Sequence, residues 1–132
     1  MMRSLSAVEY LRSLASANSK QIVLFGADEE ARTAVLTAAQ DGQIRGVILL
    51  SPPLIAEVAE LGARPALILA SRKDRRGLVL EQAQAITERI QGPHQVVALP
   101  GNGHSTFVFT NAWNDTHRAV LQWLQATMPA PR

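Results

Sequence analysis

The sequence has no cysteine, which excludes disulfides, thiolate nucleophiles and cysteine-ligated zinc and leaves the redox environment unconstrained. Aromatic residues make up only 5% of the chain and the formal net charge is +2. A nucleic-acid binder ordinarily shows a basic stripe interleaved with aromatics, so that class of partner is not expected. No apolar run approaches the length of a membrane span, and the first ten residues lack the apolar stretch of a secretory signal. The expectation is a soluble, cytoplasmic protein with neither membrane nor nucleic-acid partners. At 132 residues the chain is a single domain, 1–132, large enough to bury roughly two-thirds of the surface its unfolded form exposes.

What is present is a regular alternation of short apolar runs and amphipathic stretches. Ser6-Ala7-Val8-Glu9 has the form of a capping box and opens a helix over about residues 6–17. Residues 21–25, 46–50, 66–70 and 95–99 are aliphatic, without the polar alternation of a half-wet strand, and predict strands buried on both faces of a parallel sheet. Helices are expected over residues 29–40, 54–61 and 112–127. Another lies between the third and fourth strands, where Val79, Ala83, Ile86 and Ile90 form an i, i+4, i+7, i+11 stripe. The last helix is expected to bury Val120, Leu121, Leu124 and one of Trp113 and Trp123, and the tail from Met128 to fray. The order α-β-α-β-α-β-α-β-α gives an α/β protein, a three-layer α/β/α sandwich around a parallel sheet of about four strands.

In such a sheet the loops at the carboxyl ends of the strands gather on one edge, where ligands bind. Asp28, Ser51, Asp74 and His104 each follow a strand by a few residues and can converge there. Asp28 carries a second interpretation, because Asp followed by Glu29 and Glu30 is also how a plain helix begins, with an N-cap and acids in the first turn. Asp74 sits among Arg72, Lys73, Arg75 and Arg76 and can equally be a surface ion-pair partner or, with those cations, part of an anion-binding loop. His104 follows Gly101-Asn102-Gly103, a tight-turn composition. Ser51 and Ser71 are read as strand-end caps, and Ser105 as a weak candidate nucleophile. His94 and His117 share no metal-ligand spacing with His104, so neither a metal nor a cofactor is expected.

Taken as a set, Gly26-Ala27-Asp28-Glu29-Glu30, Val47-Ile48-Leu49-Leu50-Ser51-Pro52, Pro65-Ala66-Leu67-Ile68-Leu69-Ala70-Ser71 with Asp74, and Leu99-Pro100-Gly101-Asn102-Gly103-His104 resemble the C-terminal half of an α/β-hydrolase. The resemblance implies Asp28 at the nucleophile position of the G-x-S-x-G elbow, Asp74 as the acid that orients the base, and His104 as the base. It also implies hydrolysis of a small ester, haloalkane or epoxide, since some members use an Asp nucleophile and pass through an alkyl-enzyme ester. Three departures accompany it. Glu30 replaces a glycine of the elbow, the family's earlier strands have no counterpart, and Glu29 and Glu30 crowd negative charge against Asp28. A non-catalytic interaction or small-ligand-binding protein of the same fold is the alternative. With residues 22–25 at the edge of a four-stranded sheet, a homodimer covering that edge is expected.

Overall fold

The computed structural model describes residues 22–128. The helix expected over residues 6–17 and the tail beyond Met128 lie outside that range. Four strands, β1 (Ile22–Ala27), β2 (Ile44–Leu50), β3 (Ala66–Ser71) and β4 (His94–Leu99), form one sheet in the order β1-β2-β3-β4, every neighbouring pair parallel. Helices α1 (Glu30–Gln40), α2 (Leu78–Ile86), α3 (Val108–Asn111) and α4 (Trp113–Thr127) cover it, with short 3-10 turns at Ala56–Leu61, Thr87–Arg89 and Ser105–Phe107. This is the three-layer sandwich with a four-stranded parallel sheet that the alternation of apolar and amphipathic segments predicts.

The two faces of the sheet hold separate cores. On one, Ala31, Val35 and Ala38 of α1 and Val79, Ala83 and Ile86 of α2 pack on Val47, Leu49, Ile68 and Ala70. The small side chains of α1 let its axis lie close to the strands. On the other, Val108, Ala112, Val120 and Trp123 pack on Ile48, Leu50, Leu67, Leu69 and Leu99. The central strands β2 and β3 therefore touch apolar atoms on both sides, and every residue of β3 is buried. Continuous aliphatic sequence and two-sided burial are the same fact seen at two levels.

The flanking strands depart from that rule. β1 is an edge strand, as expected, and Phe25 on it is 49% exposed. Two-sided burial is thus incomplete at β1: Ile22 and Leu24 join one core and Val23 and Ala27 the edge of the other, while Phe25 stays open. In α4 the buried face comprises Thr116, Val120, Trp123 and Thr127, with Leu124 half-buried, whereas Leu121 and Trp113 are exposed. Burial of Leu121 is corrected on this point: it lies about 100° around the helix from Val120, off the stripe that Val120, Trp123 and Leu124 define. The helix after Ala56 is also tighter than expected, a 3-10 turn closed by Gly62 at φ 60.

Among the described residues no helix is long and apolar enough to cross a membrane.

Candidate active site

The end of β1 is a sharp strand-to-helix turn. Gly26 is buried where a side chain could not fit, since a Cβ there would come within 2.6 Å of Ala31 Cα and Glu30 O and 2.9 Å of Ala34 Cβ. That close approach brings the first turn of α1 against the strand and forces the connecting residue, Asp28, into the left-handed region at φ 53. The Asp28 N–H continues the sheet by donating to Leu50 O at 2.9 Å. Glu30, at the position where an elbow glycine was expected to be needed, is exposed, and the tight contact is supplied by Gly26 and Ala31 instead. Glu30 is therefore no obstacle to the turn.

Asp28 is not the helix cap. The cap position of α1 is Glu29, with no side-chain hydrogen bond to the helix. The Asp28 carboxylate turns instead toward His104, with Oδ2 3.3 Å from Nε2. On the far side of the ring, Nδ1 of His104 bonds to Oδ2 of Asp74. The imidazole is thus held between two carboxylates drawn from the loops after β1 and β3, while His104 itself comes from the loop after β4. The three residues singled out from the sequence meet in one place.

The two carboxylates differ in environment. Asp74 is 5% exposed and faces His104, while Arg72, Lys73, Arg75 and Arg76 around it are exposed and make no ion pair with it. The surface salt bridge considered for Asp74 is therefore absent among the described residues. Asp28 is more open, with 43% of its side chain exposed. The contact between Asp28 and His104 lies at ion-pair distance but lacks hydrogen-bond geometry, and Nε2 is buried without a hydrogen-bond partner. Partial burial alone would lower the His104 pKa, but the hydrogen-bonded Asp74 carboxylate and then Asp28 outweigh it, so the net shift is upward from 6.5.

Ser51 and Ser71, expected as strand-end caps, instead hold the histidine loop in place. Ser71, fully buried at the end of β3, donates its Oγ–H to Gly103 O at 2.6 Å. Ser51 Oγ accepts the Ser105 N–H at 2.9 Å. Asn111 Oδ1 accepts the Gly103 N–H at 3.3 Å, and the Lys73 N–H donates to Gly101 O at 3.0 Å. A serine terminating an apolar strand gives no hint in sequence of a partner some thirty or fifty residues away. Ser105, the weak candidate nucleophile, is half-buried and holds the loop through its backbone.

All five non-glycine residues with positive φ among those described, Asp28, Ser51, Arg75, Arg76 and Ser105, lie on loops at the carboxyl edge of the sheet. Such conformations cost of order 1–3 kcal/mol each and collect where function constrains the backbone. A depression of about 580 Å³ lined by Asn102, Gly103, His104, Phe107, Thr110 and Asn111 opens beside the imidazole. A larger hollow of about 940 Å³ lies at the opposite end of the strands, among residues 42–45, 63–65, 93–95 and the end of α4. None of its described lining residues is a carboxylate, so the smaller depression, which includes His104, is the candidate site.

Neither a family model nor a curated protein matches the sequence. Solved structures do match the fold. A dienelactone hydrolase from Anabaena variabilis superposes with a TM-score of 0.78 at 16% identity, over 95% of this chain and 58% of its own. An α/β hydrolase from a Penicillium species gives 0.80 at 14% identity, over 97% and 71%. An esterase from Pyrococcus furiosus gives 0.72 at 15%, over 96% and 60%. At these identities the likeness establishes the fold alone, a three-layer sandwich similar to that of these α/β hydrolases. The expectation of a C-terminal half only is corrected. The likeness takes in 92–97% of this chain and 58–71% of the matched chains, more than half of each. A count of strands undervalues the helices and strand-end loops that superpose with them. The chain spans about 58% of the first of these structures and 71% of the second.

Proposed function

We propose that the chain is a hydrolase that opens a carbon–halogen or epoxide bond, or a small ester, by attack of Asp28, with His104 as the base and Asp74 as the residue that orients it. The observation that carries this reading is the imidazole held between two unlike carboxylates: Nδ1 bonded to the buried Asp74, and Nε2 facing the accessible Asp28 at 3.3 Å without a hydrogen bond of its own. An ionised carboxylate is nucleophilic without a base. An Asp28 oxygen attacks the substrate carbon, the halide or epoxide oxygen leaves with the bonding pair, and an alkyl ester of Asp28 forms. A water then attacks the ester carbonyl carbon as its proton passes to Nε2 of His104. Collapse of the tetrahedral adduct expels the alcohol, which takes that proton back. The second proton of the water leaves the Asp28 carboxylic acid for solvent, matching the halide released or the proton taken up by the epoxide oxygen, so that the Asp28 carboxylate is restored.

The same residue types favour a saturated carbon over an acyl carbon. A carboxylate attacking an ester carbonyl must expel an alkoxide, a poorer leaving group than the carboxylate itself, and the adduct tends to revert. Halide departure has no such competition.

A second reading, non-catalytic ligand binding, is favoured by the placement of the imidazole between the Asp74 and Asp28 carboxylates, an arrangement that holds the ring toward its cationic form and can serve as a structural clamp. One experiment separates the two. Purified protein is assayed on a panel of haloalkanes, epoxides and small esters beside Asp28→Asn and His104→Ala, with intact-protein mass spectrometry on each. The hydrolase reading expects turnover to vanish in Asp28→Asn. In His104→Ala it expects turnover to fall by about 10²–10⁴-fold while an alkyl adduct accumulates on Asp28. Activity equal in all three proteins, or none in any with no adduct, rejects it.

A further inference from the structure

The loop that supplies Asp74 shows four cations, Arg72, Lys73, Arg75 and Arg76, all exposed. None of the four side chains has a hydrogen-bond or ion-pair partner among the described residues. Asp74, the one carboxylate of the segment, is buried against His104 and is not available to neutralise them. Four like charges within five residues repel one another, and an ordinary solvated loop relieves this by interspersing exposed acids. This one does not.

The backbone adds a second observation. Arg75 at φ 48, ψ 46 and Arg76 at φ 58, ψ 31 are consecutive left-handed residues, followed by Gly77 at φ 91. For residues with a Cβ that region costs roughly 1–2 kcal/mol each, and glycine or asparagine is what a tight turn into α2 ordinarily selects. Two arginines there are a poor choice for folding, and they sit directly after a residue that touches the base.

The third observation is the opposite flank. Glu29 and Glu30 are both exposed beside Asp28, so the site is polarised, with acids on the β1 side and cations on the β3 side. The single imidazole of His104 touches both Asp28 and Asp74, so the two loops that carry these flanks meet at one residue. A neutral molecule gains little from this field. An anion is repelled by Glu29 and Glu30 and drawn to the arginines, whose planar guanidinium groups match carboxylate or phosphate oxygens in pairs.

We infer that the substrate of this site is a short organic anion, a carboxylate or phosphate ester, whose charged group is held on the Arg75–Arg76 side while its reactive carbon faces Asp28. The inference rests on the hydrolase reading for the reaction but not for the binding. The polarity fixes the substrate's direction as well as its charge, because the reversed pose sets the anion against three carboxylates.

The test uses a matched pair, 4-bromobutyrate and 4-bromobutanol, together with their products 4-hydroxybutyrate and butane-1,4-diol. Wild type is compared with Arg75→Gly/Arg76→Gly, which keeps the loop because glycine accepts positive φ without strain. The expected result is a kcat/KM at least about tenfold higher for the bromobutyrate, within the range that electrostatic steering produces. That ratio should fall toward one in 0.5 M salt and in the double variant. In an NMR titration the hydroxybutyrate should bind the wild type more tightly than the diol. Equal turnover of the pair with equal product binding overturns the anion site and leaves the hydrolase reading standing. If neither bromide is turned over, the titration decides: charge-selective binding lost in the double variant upholds the anion site, and its absence overturns it.

Discussion

Replacing Asp74 by Asn keeps the shape of the buried partner of His104 and removes its charge, so the cost should depend on the charge of the imidazole. Asp74 is 5% exposed and bonds to Nδ1, and a hydrogen bond between charged groups contributes about 1.5–3 kcal/mol. The folded-state pKa of His104 lies above its unfolded value of 6.5, so its contribution to stability is fully present below pH 6.5 and is lost as pH rises through the folded pKa. Asp74→Asn removes the main cause of the upward shift. The deficit against wild type should therefore be about 2 kcal/mol at pH 6 and shrink to about 1 kcal/mol, the worth of a neutral hydrogen bond, at pH 9. For a chain of this size that is a fall in Tm of very roughly 6–10 °C at pH 6. Urea denaturation at the two pH values measures the energies, and the imidazole NMR titration of His104 should move to lower pH in the variant. A deficit equal at both pH values, or larger at pH 9, refutes the ion-pair account of this contact.

Two further substitutions test how the site is built. Gly26→Ala puts a Cβ 2.6 Å from the Ala31 and Glu30 backbone, so α1 must move off β1; the expected cost is about 1–3 kcal/mol by urea denaturation, with any turnover falling along with the displacement of Asp28. Ser71→Ala leaves the buried Gly103 carbonyl without its 2.6 Å donor at about 1–3 kcal/mol, and faster hydrogen exchange should be confined to residues 101–105.

The fold was legible because its main signal is composition along short windows. β2 and β3 are aliphatic throughout since they are buried on both faces, and α2 shows its stripe since Val79, Ala83 and Ile86 meet the sheet. The errors fall at edges, where one face is open: Phe25 on β1 and Leu121 beside the α4 stripe are apolar yet exposed. Asp28, Asp74 and His104 were legible as candidates through their positions after strands, but local sequence favoured a cap for Asp28 and a surface pair for Asp74. Both alternatives depend on which way a carboxylate turns. That is decided by the left-handed backbone at Asp28 and by the burial of Asp74, neither of which a window of neighbours encodes. The clamps at Ser51, Ser71 and Asn111 bridge 54, 32 and 8 residues, and a serine or asparagine of this kind looks like any other until the loop it holds is in view.

The geometry also bears on a difficulty within the hydrolase reading. A base for the second step must be neutral, whereas His104 is held toward its cationic form by Asp74 and Asp28 together. Only one of those carboxylates survives the first step. Once Asp28 is an ester its charge is gone, one of the two influences that raise the pKa of His104 is removed, and partial burial, the largest opposing influence, acts against Asp74 alone. Nε2 also loses its charged neighbour and is free to receive a water. The imidazole is thereby released toward its neutral, proton-accepting form when the ester needs a base, so an Asp nucleophile beside a histidine base is consistent where two permanent carboxylates would oppose it.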